Sequence, residues 1–427
     1  MKRLLFRARQ TSEQFWFIPA LMTLAAVMLA ALGIELEERH GLPPELTFIY
    51  SGGETGSRSL LSAIASSSIG VAGTVFSITI AALSYAAGSM GPRLLDNFTR
   101  DRGNQVTLGI FIATFAFSLW TLRSVQGGED APFVPHYNVT FALLLALGCI
   151  GALVYYLAHV TRNINMTQVI NLLRDDLRVA LQRATEPRDD QSAGAPPPDT
   201  FWEGGEVLRA PAGGYLQQVD TGALARAAAE AGTVVRLLVR TGDYVFPNTT
   251  IARGQPTLPP DMLEHLTLGD GRVAGQDLEY SARQLAEVAA RALSPGTNDP
   301  MTAIDVIDRF GDALCTLKDR RWPSGLYQEG GQLRLMLPTS DFAGLLDTMF
   351  RMIRQYGADS PAVTVRLLEV LGQVGTCLED PGRRQVLRRH ADLVLEDALR
   401  VTENSGDRAD LQARYAACCR QLGGAAP

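Results

Sequence analysis

Residues 66–94 read SSSIGVAGTVFSITIAALSYAAGSMGPRL, and this stretch decides how the chain is organised. It is too apolar for a helix on the surface of a soluble protein, which keeps a polar face toward water. It also holds more Ser, Thr and Gly than a simple lipid anchor needs. This composition is typical of a membrane helix that packs closely against another helix or contacts something polar.

Apolar residues are concentrated in the first part of the 427-residue chain, and charged residues in the rest. Four segments reach the length of about 20 residues that a hydrocarbon core of roughly 30 Å requires. They run approximately over 15–34, 59–90, 106–125 and 139–160. We therefore expect a transmembrane domain of four helices at residues 1–161.

The distribution of Lys and Arg predicts the orientation of these helices. Four basic residues precede the first segment, and Arg93, Arg100 and Arg102 follow the second, whereas the other two connections hold fewer. Basic residues are enriched on the cytoplasmic side of membrane proteins. Both termini are thus expected in the cytoplasm.

The remainder of the chain divides into three parts. An amphipathic helix and a Pro-rich linker, DDQSAGAPPPD, are expected within 162–200. Turn residues and β-branched runs predict a small β-rich domain at 201–270, and their pattern favours a barrel-like element. The region 271–427 is predicted to be helical, with one hairpin near 326–337. The fold class is therefore a membrane domain of four α-helices followed by a cytoplasmic α+β region that is mostly helical.

The small residues of the second segment are ordered along the helix. They recur at steps of three and four, so they share one helical face. Small residues let two backbones approach closely in lipid, and the hydroxyl groups also suit the wall of a path for an ion or small solute. We keep both interpretations, helix packing in a homo-oligomer and pore lining. The face consists of Ser66, Gly70, Gly73, Ser77, Ala81, Ser84 and Gly88.

None of the four segments has a clear Asp, Glu, Lys or Arg near its middle. Proton-coupled carriers usually place ionisable groups at this depth, so a proton-driven carrier is disfavoured. A passive conduit can instead be gated by apolar side chains that exclude water. The candidate constriction residues are Phe76, Ile80 and Leu83.

The densest polar motif in the later part of the chain is LSPGTNDP at 293–300. Its final Asp-Pro pair is typical of the start of a helix. An ion or phosphate could bind at this start, but a capped turn between two helices is the alternative, and Asp299 opposes an anion. The candidate loop site consists of Ser294, Thr297, Asn298 and Asp299.

Enzyme, metal and nucleic-acid signatures are missing from the sequence. It contains no P-loop, no zinc-protease motif and no nucleophile elbow, so no catalytic residues are assigned. The five cysteines lack Cys-x-x-Cys spacing, and we expect neither a disulfide framework nor a metal site. A formal net charge of −6 without a basic stripe disfavours nucleic acid as a partner. We expect no cofactor, and the lipid bilayer as the main partner.

Three stretches together resemble a bacterial family. They are SIGVAGTVFSITIAALSYAAGSMGPRLLDNF with RDRGNQVTLGIFIATF, GGYLQQVD with VVRLLVRTGDYV, and RQLAEVAARALSPGTNDPMTAID. The combination is similar to the predicted-membrane-protein family catalogued as domain of unknown function 2254, from the first apolar segment to about Asp319. The resemblance implies a multi-pass protein of the bacterial inner membrane with a cytoplasmic C-terminal region. It implies no established activity and no catalytic residues.

Two hypotheses about function follow. The first is a homo-oligomeric, channel-like or solute-conducting protein with a cytoplasmic regulatory domain. The second is a membrane-anchored sensor or scaffold, in which the amphipathic helix after the fourth segment carries a signal to the cytoplasmic domain. A ligand that stabilises the C-terminal region would favour the second hypothesis.

Overall fold

The computed structural model describes residues 14–40, 50, 52–90, 101–126, 133–163, 166–187, 195–273 and 276–423. The chain divides into two compact units, residues 1–165 and 166–427, and each is described by itself.

The N-terminal unit is mostly helical in its described residues, and an isolated β-bridge joins Gln126 and Phe133. Its helices are α1 (Phe17–His40), α2 (Glu54–Met90), α3 (Arg102–Ser124) and α4 (His136–Asn163). All four are long and apolar enough to cross a membrane. α2 has 37 residues and continues without a break, so it is roughly 55 Å long and exceeds the hydrocarbon core of about 30 Å.

The centre of this unit is α3, which packs against α1, α2 and α4. The buried face of α3 contributes Phe111 and Phe117 to two apolar clusters. Leu61 and Val75 of α2 and Tyr156 of α4 complete the same clusters. Much of the remaining apolar surface, on α1 and α4 above all, is exposed on the outside of the unit, as expected for helices that contact lipid.

The C-terminal unit combines helices with short strands. The helices are α5 (Met166–Ala184), α6 (Thr221–Glu230), α7 (Leu278–Ala292), α8 (Pro300–Cys315), α9 (Phe342–Tyr356), α10 (Pro361–Cys377), α11 (Pro381–Val401) and α12 (Ser405–Gln421). The strands are β1 (Glu186–Pro187), β2 (Glu206–Arg209), β3 (Gly214–Val219), β4 (Val234–Leu237), β5 (Tyr244–Val245), β6 (Thr250–Gln255), β7 (Leu266–Gly269), β8 (Arg320–Arg321), β9 (Leu326–Glu329) and β10 (Gln332–Met336).

The strands form open sheets, so the barrel-like element expected from the sequence is not supported. One sheet has the order β2-β6-β4-β10-β9, a second has the order β5-β3-β7, and β1 pairs with β8. In the five-stranded sheet β4 and β10 are parallel, and the other pairs are antiparallel. α6 packs against β4, β9 and β10, and both larger sheets contribute to one core. The apolar strand residues are thus buried by a helix and by a second sheet, and no closed barrel forms.

The helices α7 to α12 pack against one another, and caps fix where several begin. Asp277, Asp299 and Asp341 each accept a hydrogen bond from a backbone N–H in the first turn of the following helix. Such caps satisfy amide groups that have no partner within the helix. α5 packs against α7 and α8 through a buried stripe that includes Ile170 and Leu177.

Candidate functional site

The small-residue face of α2 lies on the outside of the N-terminal unit. A Cβ atom added at Gly70, Gly73 or Gly88 would meet nothing within 4 Å. The close approach that small residues permit is therefore unused within one copy of the chain, as far as it is described. All seven predicted residues are exposed: Ser66, Gly70, Gly73, Ser77, Ala81, Ser84 and Gly88.

A second face of α2 packs inside the unit. Its buried residues include Ser68, Ala72, Val75 and Thr79, again at steps of three and four. Thr79 Oγ1 lies 2.8 Å from the Tyr156 hydroxyl, which donates to Val75 O at 2.9 Å. The composition of α2 thus reflects two faces, one inside the copy and one directed outward.

Two hydroxyl groups on the outward face, those of Ser66 and Ser77, bond to their own helix. Ser66 Oγ donates to Ser62 O at 2.8 Å, and Ser77 Oγ donates to Gly73 O at 2.9 Å. A hydroxyl satisfied in this way tolerates a lipid or a packed helix as well as water. The local geometry therefore suits either use of the face.

The three candidate constriction residues lie beside this face. Phe76 is 47 % exposed and Ile80 is 45 % exposed, while Leu83 is half-buried. Within a single copy they do not close an internal path.

A row of buried polar side chains runs along α3, and sequence reasoning missed it. Asn138 Nδ2 donates to Ala30 O at 2.8 Å and to Thr121 Oγ1 at 3.3 Å, and the Cys149 thiol donates to Thr114 Oγ1 at 3.3 Å. Such bonds between helices stabilise a membrane bundle. The signal in the sequence is a helical spacing of polar residues. The row comprises Asn104, Gln105, Thr107, Thr114, Ser118 and Thr121.

Glu37 is a buried carboxylate near the end of α1. It accepts hydrogen bonds from the backbone N–H groups of His136 and Tyr137, at 2.9 and 3.1 Å. These groups are the unpaired amides at the start of α4, and the helix dipole favours a negative charge there. The carboxylate therefore caps α4 from another helix.

The predicted loop site at 293–300 is a hydrogen-bonded turn. Asp299 accepts from Thr302 N at 3.2 Å and from Thr302 Oγ1 at 2.6 Å. Ser294 Oγ donates to Arg291 O at 2.6 Å, and the backbone N–H of Asn298, at φ 47°, donates to Ser294 O at 2.9 Å. The structure brings all four predicted residues, including Thr297, together in one loop. Their contacts are those of a capped turn, and ion or phosphate binding stays a prediction.

A cavity of about 460 Å³ lies in the C-terminal unit, and its residues were not singled out from the sequence. Arg240 Nη1 and Glu279 Oε1 are 2.9 Å apart, and Arg272 Nη2 and Asp277 Oδ2 are 2.7 Å apart. Burial raises the pKa of the Asp277 carboxyl, and the nearby Arg272 opposes this shift. Gly242, at φ 92°, brings the turn after β4 so close that a Cβ there would overlap the Asp277 carboxylate.

The cavity has a charged side and an apolar side. Arg183 of α5 and Asp243 line it, and neither forms an ion pair with a described residue. Leu237, Tyr327 and Leu337 form part of the apolar wall. A small organic molecule that carries both polar and apolar groups matches this lining. Among the described residues no group of three His, Cys, Asp or Glu side chains could hold a metal ion.

The N-terminal unit has four helices that could cross a bilayer, and a larger unit of open sheets and helices follows it. These features are those of a multi-pass membrane protein. The family model described as "Predicted membrane protein (DUF2254)" matches residues 12–373, and the chain belongs to this family. Uncharacterized proteins of Mycobacterium bovis and of two strains of Mycobacterium tuberculosis are 33 % identical to it over 380 residues. The alignments cover 84 % of this chain and 72 % of each relative. No solved structure matches the chain.

Proposed function

We propose that the protein forms a homo-oligomer in the bacterial inner membrane, in which α2 of one copy packs against α2 of another. The observation that carries this proposal is the outward position of the small-residue face, with open space at Gly70 and Gly73. In lipid the hydrophobic effect does not drive helices together, and close backbone contact between small residues takes its place. The face offers this contact along most of the membrane-crossing part of α2.

The proposed assembly encloses a narrow path for an ion or small solute. Phe76 and Ile80 precede Ser77 and Ala81 by one position, so these side chains flank the packing face. When several copies surround an axis, such apolar side chains narrow the central opening and exclude water from it. With Leu83 they form the proposed constriction.

The proposed orientation places both termini and the C-terminal unit in the cytoplasm. The supporting argument is the excess of Arg after the second apolar segment and of Lys and Arg before the first. In this arrangement the C-terminal unit is a regulatory domain.

The packing proposal is tested with two leucine variants of the full-length protein in mild detergent. Gly73→Leu places a side chain in the proposed interface. Gly148→Leu is the matched control, because a Cβ at Gly148 of α4 also meets nothing within 4 Å. We expect light scattering to show a smaller assembly for Gly73→Leu alone. Equal masses for both variants and the unmodified protein would contradict packing through this face.

The path is tested by flux of ions and small solutes into liposomes that hold the purified protein. We expect flux above that of empty liposomes, and a higher rate for Phe76→Ala, because a smaller side chain widens the constriction. If the protein is monomeric and shows no flux, this result would contradict the channel-like function.

The cavity in the C-terminal unit favours a second candidate function, a membrane-anchored sensor. The supporting observation is that α5 lines the cavity with Arg183 and begins only three residues after α4 ends. A ligand there would contact the helix that follows the last membrane segment. A metabolite that raises the melting temperature of the full-length protein, but not of Arg183→Gln, would support this function.

A further inference from the structure

A groove of about 720 Å³ lies on the N-terminal unit, between α1, α2 and α3. Its floor is apolar, with Phe115, Ala116 and Leu119 of α3. Arg58 of α2 and Arg123 of α3 also line it. The groove thus joins a hydrocarbon-like surface to a pair of positive charges.

The two arginines lie at the same end of the unit. Arg58 Nη2 donates to Val125 O at 2.8 Å, which ties the start of α2 to the end of α3. Phe115 precedes Arg123 by eight residues, so the groove extends roughly 12 Å along α3 from its arginine end to its apolar end. One leaflet of the hydrocarbon core is about 15 Å thick. The groove therefore runs from a membrane surface through most of one leaflet.

The charge of the groove is positive among the described residues. Arg58 Nε lies 3.4 Å from Glu54 Oε1. Glu54 is the one described carboxylate that forms an ion pair with either arginine of the groove. Arg123 lies over the Trp120 ring, 5.5 Å from its centroid, and forms no ion pair with a described residue. Trp120 is 39 % exposed, as is common for tryptophan at the level of lipid headgroups.

We propose that this groove binds one anionic phospholipid. The phosphate contacts Arg58 and Arg123, whose guanidinium groups suit phosphate oxygens. One acyl chain lies on Phe115, Ala116 and Leu119. A lipid accounts for both parts of the groove, whereas a free phosphate would use only the arginine end. Among the described residues two arginines lie beside one carboxylate, which favours an anionic headgroup over a zwitterionic one.

Lipid titration of the full-length protein, followed by native mass spectrometry, tests the proposal. The probes are phosphatidylglycerol and phosphatidylcholine with identical acyl chains. We expect phosphatidylglycerol to bind more tightly. Its apparent Kd should rise roughly five-fold in Arg123→Gln and about 25-fold in the double variant Arg58→Gln, Arg123→Gln.

Two further variants separate charge from shape. Arg39→Gln is the charge control, because Arg39 is an exposed arginine at the same end that pairs with Glu35 and does not line the groove. Its affinity for phosphatidylglycerol should be unchanged. Ala116→Trp fills the apolar floor and should weaken binding without a change in charge. The double variant could fail to fold, because Arg58 also bonds to Val125 O. In that case the single variant Arg123→Gln provides the test.

Three results would overturn the proposal. The first is equal binding of the two lipids. The second is a double variant, or a well-folded Arg123→Gln, that binds phosphatidylglycerol as Arg39→Gln does. The third is displacement of the lipid by millimolar inorganic phosphate, which would indicate a phosphate site. None of these results depends on oligomerisation through α2, so this proposal and the proposed function fail separately.

Discussion

At the scale of single residues, His390 of α11 is held in an environment that disfavours its charge. Its side chain is almost fully buried against Phe350, and its Nε2 lies 3.4 Å from Asp347 Oδ1. Burial lowers the pKa of His390 to about 4, the Asp347 carboxylate opposes the shift, and Arg389 and Arg354 add to it. The imidazole is therefore neutral at pH 7 in the folded protein.

This environment predicts a loss of stability in mild acid. Between pH 6.5 and 4 the unfolded chain binds a proton at His390 that the folded chain does not, so stability is present above pH 6.5 and falls as the pH is lowered. We expect His390→Gln to remove roughly 2 kcal/mol of the destabilisation at pH 5. Melting temperatures of both proteins across this range measure the effect. Parallel curves would show that His390 is not responsible.

Residues of the candidate sites differ in how well the sequence reveals them. The seven small residues of α2 share one face because their spacing of three and four residues fixes it. At Asp299 the sequence leaves two interpretations open, an ion site and a capped turn, and the contacts match the capped turn. The cavity was not foreseeable in this way. Arg183, Arg240, Asp277 and Tyr327 come from separate elements, and only tertiary packing brings them to one wall.

At the scale of elements, α10 crosses α12 at a glycine. A Cβ at Gly372 would lie 3.2 Å from Cys418 Cα and would overlap the Gln421 side chain. Because the Cys418 Cα is a backbone atom, it can move away from Gly372 only if α12 shifts with it. Gly372 is therefore a point where the two helices approach closely.

Replacement of this glycine should separate the two helices. We expect Gly372→Leu to destabilise the C-terminal unit by about 1–3 kcal/mol through overpacking. Gly222→Ala in α6 is a control, because its nearest contact is a flexible arginine at 3.6 Å and alanine is a better helix former. Thermal unfolding and hydrogen exchange in α12 report the difference. Equal stability of the two variants would show that the crossing can adapt.

The strands show why the pairing of elements was harder to predict than their existence. Short β-branched runs and turns indicate strands at 201–270. The sheet, however, is completed by β10, where Leu335 pairs with Val235 in parallel. No local pattern specifies a partner so distant in the chain, so the sequence alone favoured a closed barrel over two open sheets.

At the scale of the whole molecule, an even number of membrane crossings would place both termini on one side. Four described helices qualify by length and composition, and the basic residues favour the cytoplasmic side. The proposed orientation follows from these two facts together.

Reporter fusions test this orientation. Green fluorescent protein attached after the last residue should be fluorescent, and alkaline phosphatase attached there should be inactive, because each folds on only one side of the inner membrane. Phosphatase fused after Gln126, beyond the end of α3, should be active. The reverse pattern at both positions would show that the orientation is opposite to the one proposed.

The open space beside Gly70 and Gly73 makes it possible to distinguish selection for the folding of one copy from selection for a contact outside that copy. Glycine in a helix interior costs about 1 kcal/mol relative to alanine, so folding of a single copy, as far as its residues are described, gains nothing from these glycines. Larger residues at both positions would leave the abundance of one copy intact or increase it. A pressure to keep the glycines would then come from a contact outside the described part of one copy. Substitutions at Gly70 and Gly73 should in that case lower the activity of the protein without lowering its abundance.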